Sequence, residues 1–368
     1  MDKVIRTIKD LEKILTESVV PISKTPPYFA ESDDYSQINI ITGAADTFDS
    51  DLKKEPDNQW NTSPEEIRKF TTKKDIRERV RLELEQLREQ FANSGFDNFY
   101  YMPADVTGMI SWIFINNAMA AGFNSDGKPM IYFGKMKNLV RLPEPSLVEY
   151  YLTNNPAKPI EGLIVGHATK HTMEGKGDQL PMSLPVIENG KQSKNRFYHM
   201  IINCSGRRTH PMALEEYAEF SGNFVIEVPL SDNEKTGAYH GNVAILYYQN
   251  LDGERGVIYV PVMLKEDKQE FVYELFKTFF GERNVHQILE NYTWLYNEAL
   301  SNLSMNCIST GKGRMIASKN NPWTNNYLKH EIGLNVLEVE MQGISLGGGG
   351  LQCCYTALNK SPLKMEKK

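Results

Sequence analysis

The chain has 368 residues, with 41 basic and 47 acidic side chains and a formal charge of −6. That mild acidic balance, without a long basic run, argues against an electrostatic nucleic-acid binder, and no apolar run reaches the roughly 18 residues of a membrane-spanning helix. Apolar residues at 40% and charged residues at 24% suffice for a buried core, whether in one large domain or in two or three ordinary ones.

The opening stretch, MDKVIRTIKDLEKILTESVV, carries charges wherever a secretory signal would need its apolar core. Val4, Ile8, Leu11 and Leu15 follow helical spacing, so an amphipathic helix is expected. Residues 44–73 are polar and poor in aliphatics. They read as a long surface excursion, open to roles as a cap over a site, a partner contact or a disordered loop. Asp75 with Glu78 resembles a capping box. Ile76, Val80, Leu84, Leu87 and Phe91 then form one stripe, which Gly95 stops. Strands are expected at Ile110 to Phe114 and at Met130 to Phe133, with the turn at Ser125 to Lys128 between them.

Farther along, strand-like Met200 to Asn203 precedes a helix opened by Pro211 and carrying Met212, Leu214, Tyr217 and Phe220. Phe224 to Val228, Val243 to Leu246 and Val257 to Val260 read as strands, and 266–280 and 284–302 as helices. Leu334, Val336, Leu337 and Val339 come before the glycine run Gly347 to Gly350. No linker divides this α/β series into halves. No repeat is visible at the residue level, which argues against a solenoid.

Four cysteines occur, Cys204, Cys307, Cys353 and Cys354, and none forms a CxxC pair. So few thiols could not staple a chain of this length, which points to a reducing, cytoplasmic setting. Two of them follow the glycines in Gly343-Ile-Ser-Leu-Gly-Gly-Gly-Gly-Leu-Gln-Cys-Cys-Tyr-Thr356. Glycines there allow positive φ and a close approach of backbone to a ligand, and a cysteine beyond them could be exposed at the end of a buried strand. A flexible hairpin before two buried thiols fits the same residues equally well. The stretch lacks the Lys-Ser/Thr of a P-loop, as does Thr310 to Arg314.

The stretch GGGGLQC resembles the segment before the nucleophilic cysteine in the guanidino-modifying, or pentein, superfamily of arginine deiminases, amidinotransferases and deiminase-related citrullinases. Phe114-Ile-Asn-Asn-Ala118, then Asp126-Gly-Lys-Pro-Met-Ile-Tyr132 and Met136 to Arg141, resemble its FxNN…DGxxxxY stretch and following basic segment. Met173-Glu-Gly-Lys-Gly-Asp-Gln-Leu180 resembles the LEGxG element, Cys204-Ser-Gly-Arg-Arg-Thr209 the S-x-R-T turn, and His240-Gly-Asn-Val243 the histidine strand. The order agrees from about residue 38 to 358. The resemblance implies a five-bladed α/β propeller of ββαβ-type units over 38–358, with an N-terminal extension at 1–37 and a basic tail at 359–368.

The resemblance also implies roles. Cys353 is the nucleophile, His240 the acid and then base, and Glu174 the partner of His240 and the anchor of a substrate N–H. Cys354 competes with Cys353, but neighbours on a strand face opposite ways, and the family spacing selects Cys353. Asn116, Asn117, Asn242, Asp178 and Arg208 are the expected substrate contacts, and Arg207 with Arg208 could hold an α-carboxylate. Arginine deiminases usually carry Arg-Asp where this chain has Asn116-Asn117, and His-x-Asp where Asn242 follows His240. Gln352 also stands where the family often has Arg or His. Amides in place of carboxylates suit a neutral ureido group better than a guanidinium, since a buried cation wants a counter-charge, although Asp178 would restore one carboxylate.

The implied activity is hydrolysis of a C–N bond in a guanidino or ureido compound, releasing ammonia, with no cofactor and no metal. Its alternatives are an amidinotransferase using the same residues and a non-catalytic binding protein of this superfamily. Arginine, citrulline, agmatine, methylarginines and peptidyl arginine all remain substrate candidates, and the oligomeric state stays open. His167 and His171 lack the glutamate of a zinc protease helix. Asn61, Asn203, Asn291 and Asn302 begin glycosylation-type triplets of no consequence without a secretory signal.

Overall fold

One arrangement recurs five times among the described residues. Two antiparallel strands are followed by a helix and then by a third strand parallel to the second. A computed structural model describes residues 2–17, 19–24, 26–28, 35, 38–46, 48, 72–103, 112–154 and 160–360. The first unit pairs Met119–Phe123 with Pro129–Phe133, crosses through the helix Glu144–Thr153 and returns as Ile164–His167. The second uses Gln179–Leu180, Met200–Ser205, the helix Pro211–Ser221 and Phe224–Pro229.

Ile245–Gln249, Arg255–Tyr259, the helix Gln269–Phe280 and Val285–Gln287 form the third. Ile308–Gly311, Arg314–Ser318, the helix Pro322–His330 and Asn335–Val339 form the fourth. The fifth joins the two ends of the chain. Tyr355–Asn359 pairs antiparallel with Ile38–Thr42, and Phe99–Tyr101 adds to Ile38–Thr42 after the helix Lys73–Asn93.

The helix of that fifth unit shows how local signals and packing agree. Thr72 caps it, its side-chain oxygen accepting from the Asp75 amide at 3.1 Å. The predicted stripe from Ile76 to Phe91 is buried, and Gly95, at φ +101°, ends the run. The cap is therefore Thr72 rather than the expected Asp75–Glu78 box, and Glu78 instead meets Arg81 on the surface. Glu83 faces inward. Its carboxylate accepts the amides of Gly343 and Ile344 at 2.9–3.0 Å, which anchors the segment leading into the glycine run.

The N-terminal residues add to the same body. Val4–Ile5 is a strand beside Phe224–Pro229, so Val4 lies outside the helix Ile8–Thr16, whose Leu11 and Ile14 join the largest apolar cluster. Ile22–Ser23 pairs with Lys191–Tyr198, half of a hairpin with Leu184–Glu188 that interrupts the second unit.

Three other expectations need correction. Trp112 to Phe114 is a turn into the short 3-10 helix Ile115–Ala118, and Ile110 lies outside the described residues. The strand comes next, at Met119–Phe123, where two alanines and a glycine mask its β character. The segment 284–302 splits into the strand Val285–Gln287 and the helix Thr293–Ser301, because Ile288 belongs to the sheet side, its amide bonded to the Tyr259 carbonyl at 2.8 Å. Val243 and Ala244 form part of a helical turn before their strand. Most of the polar stretch 44–73 and all of the tail beyond Lys360 lie outside the described residues. Among those described, no helix is long and apolar enough to cross a membrane.

The Glu83 anchor makes a specific prediction. Glu83→Ala leaves two buried amides without an acceptor and is expected to cost roughly 2–4 kcal/mol, against about 0.5 or less for the exposed neighbour Leu82→Ala. Glu83→Gln, which keeps one acceptor oxygen, falls between them. Urea unfolding midpoints of the three variants check the order.

Candidate active site

The first strand of every unit is preceded by a single tight turn, and these turns hold the polar residues that sequence reasoning selected. Ile115–Ala118 carries Asn116 and Asn117. Gly175–Asp178 follows Glu174, and Gly241–Ala244 follows His240. Leu351–Cys354 carries Cys353. The turn before Ile308–Gly311, closed by the Asn306 amide on the Leu303 carbonyl at 3.0 Å, ends in Asn306.

The turns touch in sequence. Gly175–Asp178 packs on Ile115–Ala118 and on Gly241–Ala244, and Ile115–Ala118 packs on Leu351–Cys354. Asn306 fills the remaining junction. Its Nδ2 donates to the Asn242 carbonyl at 3.2 Å, and its Oδ1 accepts the Gln352 amide at 2.8 Å.

The electrostatic centre is Glu174, fully buried. Its Oε2 lies 3.0 Å from His240 Nε2, its Oε1 accepts the Lys137 amide at 3.0 Å, and the Arg208 guanidinium stands 3.4–3.5 Å away. Burial alone would raise the carboxyl, yet Arg208, His240 and Arg141 hold it well below the usual carboxylate range. Asp178 is the opposite case, pushed up to about 6 by burial, although His240, Thr209 and the Gly241 amide favour its charge. Its oxygens are engaged by Thr209 Oγ1 at 2.6 Å and the Gly241 amide at 2.9 Å, so it ties the histidine turn in place.

A cavity of about 10 Å3, room for a single water, gathers the rest. Cys353, His240, Asn117, Arg208, Arg141 and Tyr239 line it, closed over by Phe114 and Gly347 to Gly349. Asn117 Oδ1 is buried and has no hydrogen-bond partner among the described residues. Arg141 is itself held bidentately by Glu144 at 2.8–3.0 Å, both side chains being buried. The two guanidinium groups are thus each matched by a carboxylate.

The glycine run has a steric reason. A Cβ on Gly347 would sit 2.9 Å from the Phe114 ring and one on Gly349 closer still, while Gly348 has φ +70°. Tyr239 Oη donates to the Gly348 carbonyl at 2.6 Å and holds the loop across the cavity. Cys353 is on a 3-10 turn before the strand rather than on a strand, so the alternation expected for Cys353 and Cys354 does not apply. The turn still separates them. Cys353 faces the cavity, whereas Cys354 Sγ bonds back to the Gly350 carbonyl at 3.5 Å. Burial pushes the Cys353 thiol up, opposed by the Gly350 amide, Arg141, Asn306 and Asn242.

Cys353, His240, Asn117 and Arg208 therefore meet at one cavity, with Glu174 behind His240. Asn116 and Asp178 are buried nearby without lining it, and Asn242, though off its wall, interacts with the Cys353 thiol. Arg207 turns away to the carbonyls of Asp232 and Asn233. His167 and His171 pair with Glu149 and Glu216, and no group of three or more His, Cys, Asp or Glu among the described residues is placed to hold a metal. Sequence reasoning missed Asn306, Arg141–Glu144 and Tyr239. Tyr239 precedes His240 and Arg141 ends a stretch already noted, but Asn306 has no motif. Only its place before a first strand marks it.

No protein-family sequence model matches the chain, and no curated protein sequence does. Solved structures do. The N-terminal domain of ArgZ, an arginine dihydrolase from cyanobacteria, aligns with a TM-score of 0.63 at 14% identity, covering 87% of this chain and 97% of that domain. AgrE bound to ornithine and NAD+ aligns at 0.62 and 16%, covering 89% of this chain and 40% of that one. The chain thus spans two fifths of AgrE as crystallised. A dimethylarginine dimethylaminohydrolase aligns at 0.52 and 16%, covering 87% and 98%. At these identities the likeness is one of fold, and the fold is a mixed α/β one of several small sheets, similar to pentein structures.

The raised thiol gives a pH prediction. A buried thiol is protonated through neutral pH and becomes nucleophilic only as pH climbs past the ordinary cysteine range. Alkylation of Cys353 by neutral iodoacetamide is therefore expected to be slower than that of free cysteine at pH 7 and still rising above pH 9. Rates from peptide mass spectrometry check this; a plateau below pH 8 would contradict the burial argument.

Proposed function

We propose that the protein hydrolyses a C–N bond of a guanidino or ureido compound through a covalent intermediate on Cys353. The observation that carries this reading is the buried His240–Glu174 pair, 3.0 Å apart, whose imidazole lines the same cavity as the cysteine. In support, one ArgZ structure holds a covalently bound reaction intermediate, and an AgrE structure holds L-arginine. The proposal includes the arrangement of the five units as a propeller about a pseudo-fivefold axis, with the five turns at its centre.

In the proposed mechanism His240 takes the Cys353 proton, and the thiolate attacks the planar central carbon. The C–N bond breaks as His240 returns that proton to the departing nitrogen, so ammonia leaves and an S–C bond remains. Water then attacks, giving a proton to His240. The S–C bond breaks, and the thiolate recovers its proton from His240. Glu174 orients the imidazole and stabilises it while it is protonated, and Asn117 Oδ1 accepts an N–H of the bound group. Asn306, which sits 3.8 Å from Cys353 Sγ, steadies the thiolate.

Within this class the reading favours a neutral ureide. Both guanidinium groups at the cavity are already matched by carboxylates, and Glu174 has no oxygen left unpaired, so an incoming cation finds amides instead of a counter-charge.

Two measurements test the proposal. Neutral chloroacetamide is expected to label Cys353 in preference to the other three cysteines at pH 7, because Cys353 alone of the four lines the cavity beside His240. Labelling should vanish in Cys353→Ser and fall at least tenfold in His240→Ala; labelling spread evenly over the four cysteines would remove the site. Ammonia release from citrulline should exceed that from arginine. Faster turnover of arginine would overturn the preference while leaving the cysteine chemistry standing.

A further inference from the structure

A second hollow, far larger at about 810 Å3, lies between the helices Thr293–Ser301 and Pro322–His330. It shares no lining residue with the cysteine cavity. Its volume falls in the range of about 300–1,000 Å3 usual for small-molecule sites. Its walls are aromatic. Trp294 and Trp323 stack at 5.8 Å with planes 13° apart, and Tyr292 and Tyr327 meet at 6.3 Å and 79°, forming a corner. Trp294 is 62% exposed and Trp323 49%, so much of each indole stays open to solvent.

These rings are held from behind. The buried Glu298 carboxylate accepts the Trp323 amide at 3.0 Å and the Thr324 amide at 2.8 Å, tying the two helices together beneath the tryptophans. His286 contacts Tyr248 Oη at 3.0 Å and Tyr327 Oη at 3.2 Å, which fixes the Tyr327 ring. Exposed aromatic surface on a rigid frame is a preorganised contact surface, because little side-chain entropy is lost when something binds to it.

Charge narrows the occupant. Among the described lining residues Glu331 is the only formally charged side chain, and burial keeps His286 below its ordinary value and hence neutral at pH 7. Ring faces are electronegative and repel anions, as does Glu331. A neutral apolar molecule would use the rings but gain nothing from the carboxylate. A cation with an apolar shell uses both.

We propose that this hollow binds a free, small alkylammonium cation, with the faces of Tyr292, Tyr327 and the tryptophan pair against its methyl groups and Glu331 supplying the counter-charge. The proposal does not rest on the reaction assigned to Cys353.

The probe is tetramethylammonium chloride, with tert-butyl alcohol as its neutral counterpart, at constant ionic strength. Saturation-transfer NMR of the full chain should show saturable transfer to the tetramethylammonium methyl signal, and little to the alcohol. Trp323→Ala should abolish it, and the surface substitution Glu331→Gln should weaken apparent affinity roughly tenfold. Cys353→Ser should leave it unchanged, which separates this hollow from the cysteine cavity. Equal transfer to the alcohol, or an unchanged affinity in Glu331→Gln, would overturn the proposal. So would a dimer in sedimentation velocity that Trp323→Ala splits, since the face would then belong to a second copy of the chain.

Discussion

A carboxylate with no solvent exposure sets the terms for the rest of this site. Leaving the Glu174 charge unmatched in the interior would cost several kcal/mol. The fold meets that demand from three directions, with Arg208 from the loop after Met200–Ser205, His240 from the next unit and the Lys137 amide from the unit before. None of these partners is adjacent to Glu174 in the chain, so its buried charge is compensated only when the units have assembled. Asp178, four residues after Glu174 on its turn, is spent on bonding to Thr209 and Gly241. The site is therefore a consequence of assembly and not of any one segment.

Close approach is the second constraint. Gly177 shows it within the centre, since a Cβ there would lie 2.9 Å from Asn117 Oδ1 and 3.1 Å from the His240 ring. The run from Gly347 to Gly350 shows it again, where Phe114 and Asn306 occupy the space that side chains would need. Glycine here is a packing requirement of turns that converge on one cavity. Conformational freedom decides only Gly348 in that run. The same crowding leaves room at the cavity for about one water.

The sequence was legible where a signal is local. The stripe from Ile76 to Phe91, the Pro211 start and the short strands rich in Val and Ile all sit within a residue or a few of their observed places. It failed where tertiary pairing overrides pattern, as at Ala120 and Ala121, which are strand residues of low β-propensity, and at Ile288, which follows a strand rather than a helical period. The recurring unit was invisible because it is conserved as topology, not as residues. The motifs did point to Cys353, His240, Glu174 and Asn117 before any coordinate, and the fold brings them together. Asn306 could not be found this way. Its identity as the fifth turn's residue exists only once the other four turns are seen side by side.

The central claim is that Cys353 bonds covalently to the carbon whose C–N bond is broken. The most direct measurement is intact-protein and peptide mass spectrometry on the protein mixed with citrulline or arginine and quenched in acid within the first turnover. The account predicts a mass increment on the peptide containing Cys353, formed as ammonia appears and absent in Cys353→Ser. Ammonia release at the same rate in Cys353→Ser, with no increment on the native protein, would contradict it.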